Sequence, residues 1–149
     1  MRLLRKFVNA SMSRRRLHLE AVLLVVLIRL GLVILPLRRV RSMAAVAVET
    51  MRRVVSREPA RDVAEVSSAV RAATRVVPHA TCLVRALAVQ ALCEIRQCAA
   101  TLCIGVRRGT QGQLEAHAWV EANGRPIDQP IDHPDAGYRT LARFDRVRP

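Results

Sequence analysis

One long apolar run, residues 17–35, most limits how this chain can fold. It ends at Pro36, because proline cannot continue the hydrogen bonding of a helix. As a membrane span the run is short, and Arg29 near its middle would cost roughly 2.5–3.5 kcal/mol. An arginine inside the run and basic residues after it do not fit a secretory signal peptide. We therefore expect a helix that is buried or docks a partner, with peripheral membrane contact left open.

The length and composition indicate one folded domain. A chain of 149 residues accommodates a single domain with an appended helix or two. An apolar fraction of 51% argues against disorder, and only 3% of the residues are aromatic. The core must therefore be built mainly from leucine, valine and alanine.

The net charge of +13 is concentrated in the first half of the chain. Residues 1–75 hold sixteen basic and five acidic residues, whereas residues 76–149 hold nine and seven. A basic first half fits an acidic peptide, an acidic partner protein or anionic lipid, and equally a solvated arginine-rich surface. No nucleic-acid-binding motif or aromatic stacking platform is visible, so we expect no nucleic-acid partner.

The N-terminal region, residues 1–76, is predicted to be basic and helical. Residues 1–16 are expected to be frayed. Apolar residues at helical spacing then predict three helices, at about 17–35, 38–56 and 61–76.

A further helix and a hairpin are predicted in the second region, residues 77–149. From Cys82 to about Gln97 apolar residues recur every fourth position, and Thr81 is a plausible N-cap that places Cys82 in the first turn. Residues 100–106, 114–121 and 125–128 are predicted strands, the last two joined by the hairpin signal Asn123-Gly124. After Pro130 we expect little regular structure. The predicted class is α+β.

Cys82 is the best candidate for a nucleophile. A thiolate is the attacking form of cysteine, and the unpaired N–H groups and dipole at a helix N-terminus favour negative charge. The same N–H groups can bind the oxyanion that forms when a carbonyl is attacked. The other three cysteines fall inside the helix, near its end and inside a strand: Cys93, Cys98 and Cys103.

These cysteines do not predict a metal site or a disulfide framework. No two have the Cys-x-x-Cys spacing of a zinc site, so small buried thiols are the simpler interpretation, and we expect neither metal nor cofactor. Without a convincing signal peptide, we expect a cytoplasmic protein with free thiols.

His117 and Asp128 could complete a catalytic group with Cys82. His117 lies in a predicted strand that could hold its imidazole over the helix end, and Asp128 follows across the Asn-Gly turn, where it could orient the ring. Asp132 and Asp135 are nearby acids that leave the third position open. Trp119, two residues after His117, shares its strand face and either lines a substrate cleft or fills the core. The other histidines are weaker candidates: His18, His79 and His133.

Three segments together resemble the transglutaminase-like leader peptidases of lasso-peptide biosynthesis, in their stand-alone form. They are residues 81–88 (TCLVRALA), 116–121 (AHAWVE) and 124–128 (GRPID). The resemblance implies a papain- or transglutaminase-like core in which a nucleophile helix packs on a small antiparallel sheet. It also implies a cysteine protease that removes the leader peptide from a ribosomally made precursor.

Carried over by position, the resemblance makes Cys82 the nucleophile, His117 the general base and acid, and Asp128 the orienting group. Backbone N–H groups near Thr81 and Leu83 would hold the oxyanion. The partners that it implies are a precursor peptide, a small leader-recognition protein and a macrolactam-forming ligase. Cys93, Cys98 and Cys103 match no family role.

Two other functions stay open at the level of sequence. The same three residues could transfer the acyl group to an amine, as in a transglutaminase or acyltransferase. Alternatively, the chain could be a non-enzymatic basic module that binds nucleic acid or membrane, with Cys82 structural.

Overall fold

The structure, a computed structural model, describes residues 2–54, 62–127 and 137–146, with side chains described at 14–52, 62–127 and 137–146. Four helices precede four strands in the chain, which confirms the predicted α+β class. The helices are α1 (Arg2–Ile34), α2 (Leu37–Val54), α3 (Val63–Val76) and α4 (Cys82–Ile95). The strands are β1 (Thr101–Arg108), β2 (Leu114–Ala122), β3 (Arg125–Pro126) and β4 (Arg139–Phe144).

The first helix is longer than predicted. It begins at Arg2, so the expectation that residues 1–16 are frayed was wrong. No proline or glycine precedes Gly31, and leucine and arginine are both strong helix formers, so nothing in the sequence interrupts the helix before that point. The predicted ends of α2 and α3 lie within two residues of the observed ones.

Helix α4 lies at the centre of the fold. Helices α1, α2 and α3 contact it from one side, and β1 and β2 from the other. Its side chains from Val84 to Ile95 are therefore nearly all buried, and Leu87, Leu92 and Val89 have at most 2% of their surface exposed. A helix that is apolar on nearly every side must be covered all round, and the three-layer arrangement does this.

The sheet is antiparallel and has the strand order β3-β2-β1-β4. Strands β2 and β3 form the predicted hairpin, with Glu121 opposite Pro126 and Ala122 opposite Arg125. Asn123 and Gly124 both have positive φ angles, 51° and 73°, as a two-residue turn of this kind requires.

Strand β4 was not expected, because residues after Pro130 were predicted to lack regular structure. It pairs with β1 at the sheet edge, and its register shifts between Ile104 and Gly105. Four of its six residues are exposed, so the apolar alternation that marks a half-buried strand is weak in its sequence. The pairing with β1 could not be inferred from local pattern.

A single hydrophobic core joins the helical region to the sheet. It extends from Leu17 and Val25 in α1, through α3 and α4, to Leu102 and Val120 in the sheet. The division predicted between residues 76 and 77 falls between two helices that share this core. Whether the regions on either side behave as separate domains stays a prediction.

A buried ion pair ties α1 to the end of α4. The Arg96 Nη2 atom donates to Glu20 Oε2 at 2.6 Å, and the two residues are 6% and 9% exposed. Arg16, one turn before Glu20, approaches the other carboxylate oxygen at 3.7 Å. Burying a charge is costly unless it is paired, so each partner makes the burial of the other tolerable.

We expect Glu20→Ala to destabilise the protein by about 3–5 kcal/mol, because it removes the carboxylate that the buried Arg96 guanidinium contacts at 2.6 Å. The double variant Glu20→Leu/Arg96→Leu removes both charges and should recover most of that loss. Urea unfolding of the three proteins at neutral pH measures the difference. A free energy of unfolding for Glu20→Ala within about 1 kcal/mol of the parent value would contradict the stabilising role of this pair.

Candidate functional site

Thr81 and Cys82 begin α4 as the sequence predicted. Thr81 is the N-cap, and its hydroxyl accepts a hydrogen bond from the Val84 N–H at 3.4 Å. Cys82 is therefore the first residue of the helix, half-buried against the edge of the core. No acidic residue lies in this first turn to oppose a negative charge.

Some of the N–H groups at the start of α4 are used by the N-cap residue, and the others are available to a ligand. The Thr81 side chain accepts from Val84, and the Thr81 carbonyl accepts from Arg85 at 3.0 Å. The first N–H groups of a helix have no partner within it. The N–H groups of Cys82 and Leu83 are thus the ones placed to donate to an oxyanion beside the thiol.

His117 lies in β2 on the face that the alternation predicted. Ala118 and Val120 belong to the core that α4 shares, so His117 and Trp119, which alternate with them, lie on the other face. We call this second side the outer face of the sheet, and it includes Cys103, Gly105, Arg107, Glu115, His117, Trp119, Glu121 and Arg143.

Aromatic rings surround the imidazole on the outer face. The His117 ring stacks on Trp119, with centroids 6.2 Å apart and planes 16° apart. Tyr138, just before β4, contacts it with centroids 5.2 Å apart. Tyr138 could not be predicted from the sequence, because its approach to His117 depends on the unexpected β1–β4 pairing.

The position of Trp119 is fixed from two directions. Its indole Nε1 donates to Glu121 Oε1 at 3.0 Å, and its ring lies across Gly105. A Cβ atom at Gly105 would come within 2.9 Å of the ring and of the Arg139 carbonyl oxygen, so a side chain there would displace one of them. Trp119 is only 7% exposed and contributes a wall beside the imidazole.

Two ion pairs balance the charge of the outer face. Arg107 pairs with Glu115 at 2.7 Å, and Arg143 pairs with Glu121. Burial raises the pKa of the Glu121 carboxyl, but hydrogen bonds from Trp119 and Arg143 outweigh it and hold that pKa below its usual value. Glu121 is therefore ionised at neutral pH, and each of the two glutamates has an arginine partner.

The structure brings together some of the predicted site residues and not others. His117 and Trp119 are in contact, as are Thr81 and the first turn of α4. Asp128 lies outside the described residues. Within the described part of the chain no hydrogen bond joins the Cys82 thiol to His117, which lies on the face of the sheet away from α4. The pairing of Cys82 with His117 and Asp128 therefore stays a prediction.

The edge of β2 next to His117 has no strand partner among the described residues. Strand β3 pairs with β2 only at Glu121 and Ala122, and the Ile127 N–H adds one bond to the Val120 carbonyl. Among the described residues, the imidazole is thus close to a part of the sheet edge that no strand pairs with.

Cys93 and Cys98 form a pair of thiols near the C-terminal end of α4, whereas Cys82 lies at its N-terminal end. A hydrogen bond from Cys93 lowers the pKa of the Cys98 thiol to about 7, whereas the same hydrogen bond, followed by burial, raises the pKa of Cys93. On the outer face, burial and the nearby Glu121 raise the pKa of Cys103 to about 11. Among the described residues no group of three or more candidate ligands could hold a metal ion.

A capped helix that begins at a cysteine and packs on an antiparallel sheet carrying a histidine contains two components of a cysteine-dependent acyl-transfer site, but the structure does not bring the thiol and the imidazole into contact. Comparison with known families agrees: the transglutaminase-like superfamily matches residues 22–143, and the chain belongs to it. The match begins inside α1 and ends in β4, so it includes the helices as well as the sheet. No curated protein and no solved structure gives a significant match.

We expect Gly105→Ala to destabilise the protein by about 1–3 kcal/mol and to shift the tryptophan emission, because the new methyl group displaces the Trp119 ring. Trp119 is the single tryptophan, so emission reports on it alone. Gly31→Ala is the control, since it adds the same methyl group in α1, where the nearest atom is a Val40 methyl at 3.3 Å. Equal emission spectra for the parent and Gly105→Ala would contradict the predicted displacement.

We expect Cys98 to be alkylated by iodoacetamide at a rate that is half-maximal near pH 7 and falls about tenfold per unit below it, because its thiolate fraction falls in that range. Cys93→Ala removes the hydrogen bond that favours the thiolate and should move the profile to higher pH. Peptide mass spectrometry after timed alkylation measures both profiles. Cys103 is the internal comparison and should react slowly below pH 9.

Proposed function

We propose that this protein is a cysteine protease that cleaves the leader peptide from a ribosomally synthesised lasso-peptide precursor. Membership of the transglutaminase-like superfamily, which includes cysteine peptidases and acyltransferases, supports the reaction type. The observation that carries the proposal is the position of Cys82 as the first residue of α4, beside N–H groups that the Thr81 cap leaves available. The resemblance of residues 81–88, 116–121 and 124–128 to leader peptidases supports the choice of substrate.

In the proposed mechanism the Cys82 thiolate attacks the scissile carbonyl carbon, and the N–H groups of Cys82 and Leu83 stabilise the oxyanion. His117 gives its proton to the leaving amine, and a thioester remains on Cys82. His117 then takes a proton from water, which attacks the thioester and releases the leader. Asp128 orients the imidazole throughout.

This mechanism requires the His117 imidazole to reach the beginning of α4. Trp119 and Tyr138 contact the ring in its present position. Rotation about the His117 side chain cannot carry the ring to the other face of the sheet, so a movement of β2 that opens part of the core shared with α4 would have to bring the two groups together when substrate binds.

The proposed partners follow from the same resemblance. The precursor supplies the leader segment, a small recognition protein presents it, and a macrolactam-forming ligase acts on the released core peptide. We propose that these steps take place in the cytoplasm.

The test uses the precursor peptide encoded beside the gene for this protein, incubated with the full chain and the neighbouring recognition protein. The parent should yield two fragments, and Cys82→Ala should lower the rate at least about a thousandfold because the nucleophile is lost. Cys98→Ala removes another half-buried thiol, and its cleavage rate should stay within about twofold of the parent rate. Cleavage retained by Cys82→Ala, with its thermal unfolding unchanged, would sink the proposal.

The same assay examines the role of His117. If thiol and imidazole act as a unit, Cys82→Ala/His117→Ala should be no slower than either single variant, since residues of one catalytic group are not additive. Rate losses that multiply would show that His117 acts separately from the thiol.

The acyl acceptor separates hydrolysis from the transferase alternative. Addition of water gives a leader with a free carboxylate, whereas an amine acceptor gives a crosslinked or acylated product of correspondingly higher mass. Mass spectrometry of the products with and without added primary amine identifies the acceptor. The family membership is compatible with both outcomes.

A further inference from the structure

Helix α1 has a second apolar side that no described residue of this chain covers. Its first side, which includes Leu17, Ala21, Val25 and Ile28, is buried against α3 and α4. The opposite side exposes a row of large apolar side chains, 47–78% of each being accessible to solvent. This row, which we call the α1 ridge, consists of Leu19, Leu23, Leu27, Leu30, Val33 and Ile34.

The α1 ridge is continuous along the helix. Its members are spaced three or four residues apart, with Val33 beside Ile34, so they lie on one side over about four turns. Contiguous exposed apolar surface of this kind marks a binding site rather than ordinary surface. The ridge therefore contacts another apolar surface when the protein functions.

Arginines lie at both ends of the α1 ridge. Arg14, Arg15 and Arg16 are exposed before it, and Arg38 and Arg39 are exposed after it. The one acid in α1 between these groups, Glu20, is turned into the protein and paired with Arg96. The counterpart of the ridge must accordingly carry negative charge beside apolar surface.

A basic cleft adjoins the C-terminal end of the ridge. Its lining begins at Pro36, two residues after Ile34, and the cleft is open to solvent with a volume of about 1180 Å³. The cations in this lining are Arg38, Arg39, Arg41 and Arg146. The one carboxylate in the lining, Asp145, accepts a hydrogen bond from the Thr101 hydroxyl at 3.0 Å.

Arg41 forms the floor of the cleft. Its guanidinium lies 3.8 Å from the centre of the Phe144 ring, and its Nη2 atom donates to the Arg146 carbonyl at 3.1 Å. The Arg41 Nε atom is buried and has no hydrogen-bond acceptor among the described residues. The cleft thus offers a cation held by two contacts, flanked by the exposed Arg38 and Arg39, to a phosphate group.

We infer that the α1 ridge and the basic cleft together dock this protein on the surface of an anionic phospholipid bilayer. The ridge enters the boundary between headgroups and acyl chains, and the arginines of the cleft bind headgroup phosphates. Anionic lipid is the occupant that offers apolar surface and a dense layer of phosphate side by side. A second copy of the chain fits poorly, because the net charge of +13 and the arginines at both ends of the ridge would repel their equivalents.

The helix lies on the bilayer rather than across it. Residues Arg14–Ile34 are long and apolar enough to cross a membrane by length and composition. Crossing would, however, remove Leu24 and Ile28 from the core and separate Glu20 from Arg96. Docking through the exposed side alone leaves all these contacts in place.

The test is flotation of the full chain with vesicles of phosphatidylcholine, with and without phosphatidylglycerol. We expect partition into the anionic vesicles that weakens as salt is raised, since salt screens the arginines. Leu23→Gln/Leu27→Gln should lower the partition coefficient at least about tenfold, because two ridge side chains no longer leave water. Leu114→Gln/Leu141→Gln removes two leucines that are similarly exposed on the sheet and should change it little.

The charged part of the surface is tested in the same way. Arg38→Gln/Arg39→Gln should lower partition about fivefold for each arginine removed. Arg75→Gln/Arg108→Gln removes two exposed arginines elsewhere and is the matched control. None of these residues has a place in the proposed chemistry, so cleavage of the soluble precursor should be unchanged.

Four outcomes would overturn the inference. They are equal binding to neutral and anionic vesicles, no binding to either, equal losses in the control variants, and protein that resists alkaline carbonate extraction as a spanning helix does. A dimer in sedimentation experiments that Leu23→Gln/Leu27→Gln converts to monomer would assign the ridge to a second copy instead.

Discussion

The burial of α4 on nearly all sides is the constraint on which the rest of this fold depends. Helices cover one side of it and the sheet covers the other, so α4 cannot turn or slide without opening the core. Its N-terminal end is also held in place, because Thr81 caps the helix and Cys82 packs against the edge of the core. The thiol and the N–H groups beside it therefore have a fixed geometry that owes nothing to a substrate.

The same constraint explains one of the two apolar sides of α1 but not the other. One side must cover α4 and α3, which requires residues such as Ala21 and Val25, and the Glu20–Arg96 pair fixes the helix in position there. The other side is not needed for the core, yet it carries leucines where a soluble surface would carry charge. Removing them from water requires another surface, and the arginines around the α1 ridge restrict its charge to negative.

Much of the local structure could be predicted from the sequence, because its signals lie within a few residues. Thr81 before an apolar helix, the alternation through His117 and Trp119, and the Asn123-Gly124 turn each specify a conformation by short-range chemistry. Strand β4 could not be predicted in this way. It is an exposed edge strand, and it exists because β1 offers it unpaired backbone groups.

In the candidate site, too, some features follow from local sequence signals and others do not. The placement of Cys82 follows from a cap and a helix, both local features, and the strand face of His117 follows from alternation. Which of the two faces α4 would cover depends on how the buried residues of the sheet and helix fit together, and the sequence pattern does not determine that. Tyr138 reaches the imidazole through the β1–β4 pairing, which no local signal announced.

The outer face has more ion pairs and closer packing than a solvated surface requires. Glu115 and Glu121 each have an arginine partner, and Gly105 removes a side chain so that the Trp119 ring can lie flat beside His117. The His117 ring stacks on Trp119 and contacts Tyr138, so moving it toward the thiol would cost these two contacts. The imidazole and the thiol are thus each positioned by their own layer of the fold, and a chemical role for both depends on a movement that brings them together.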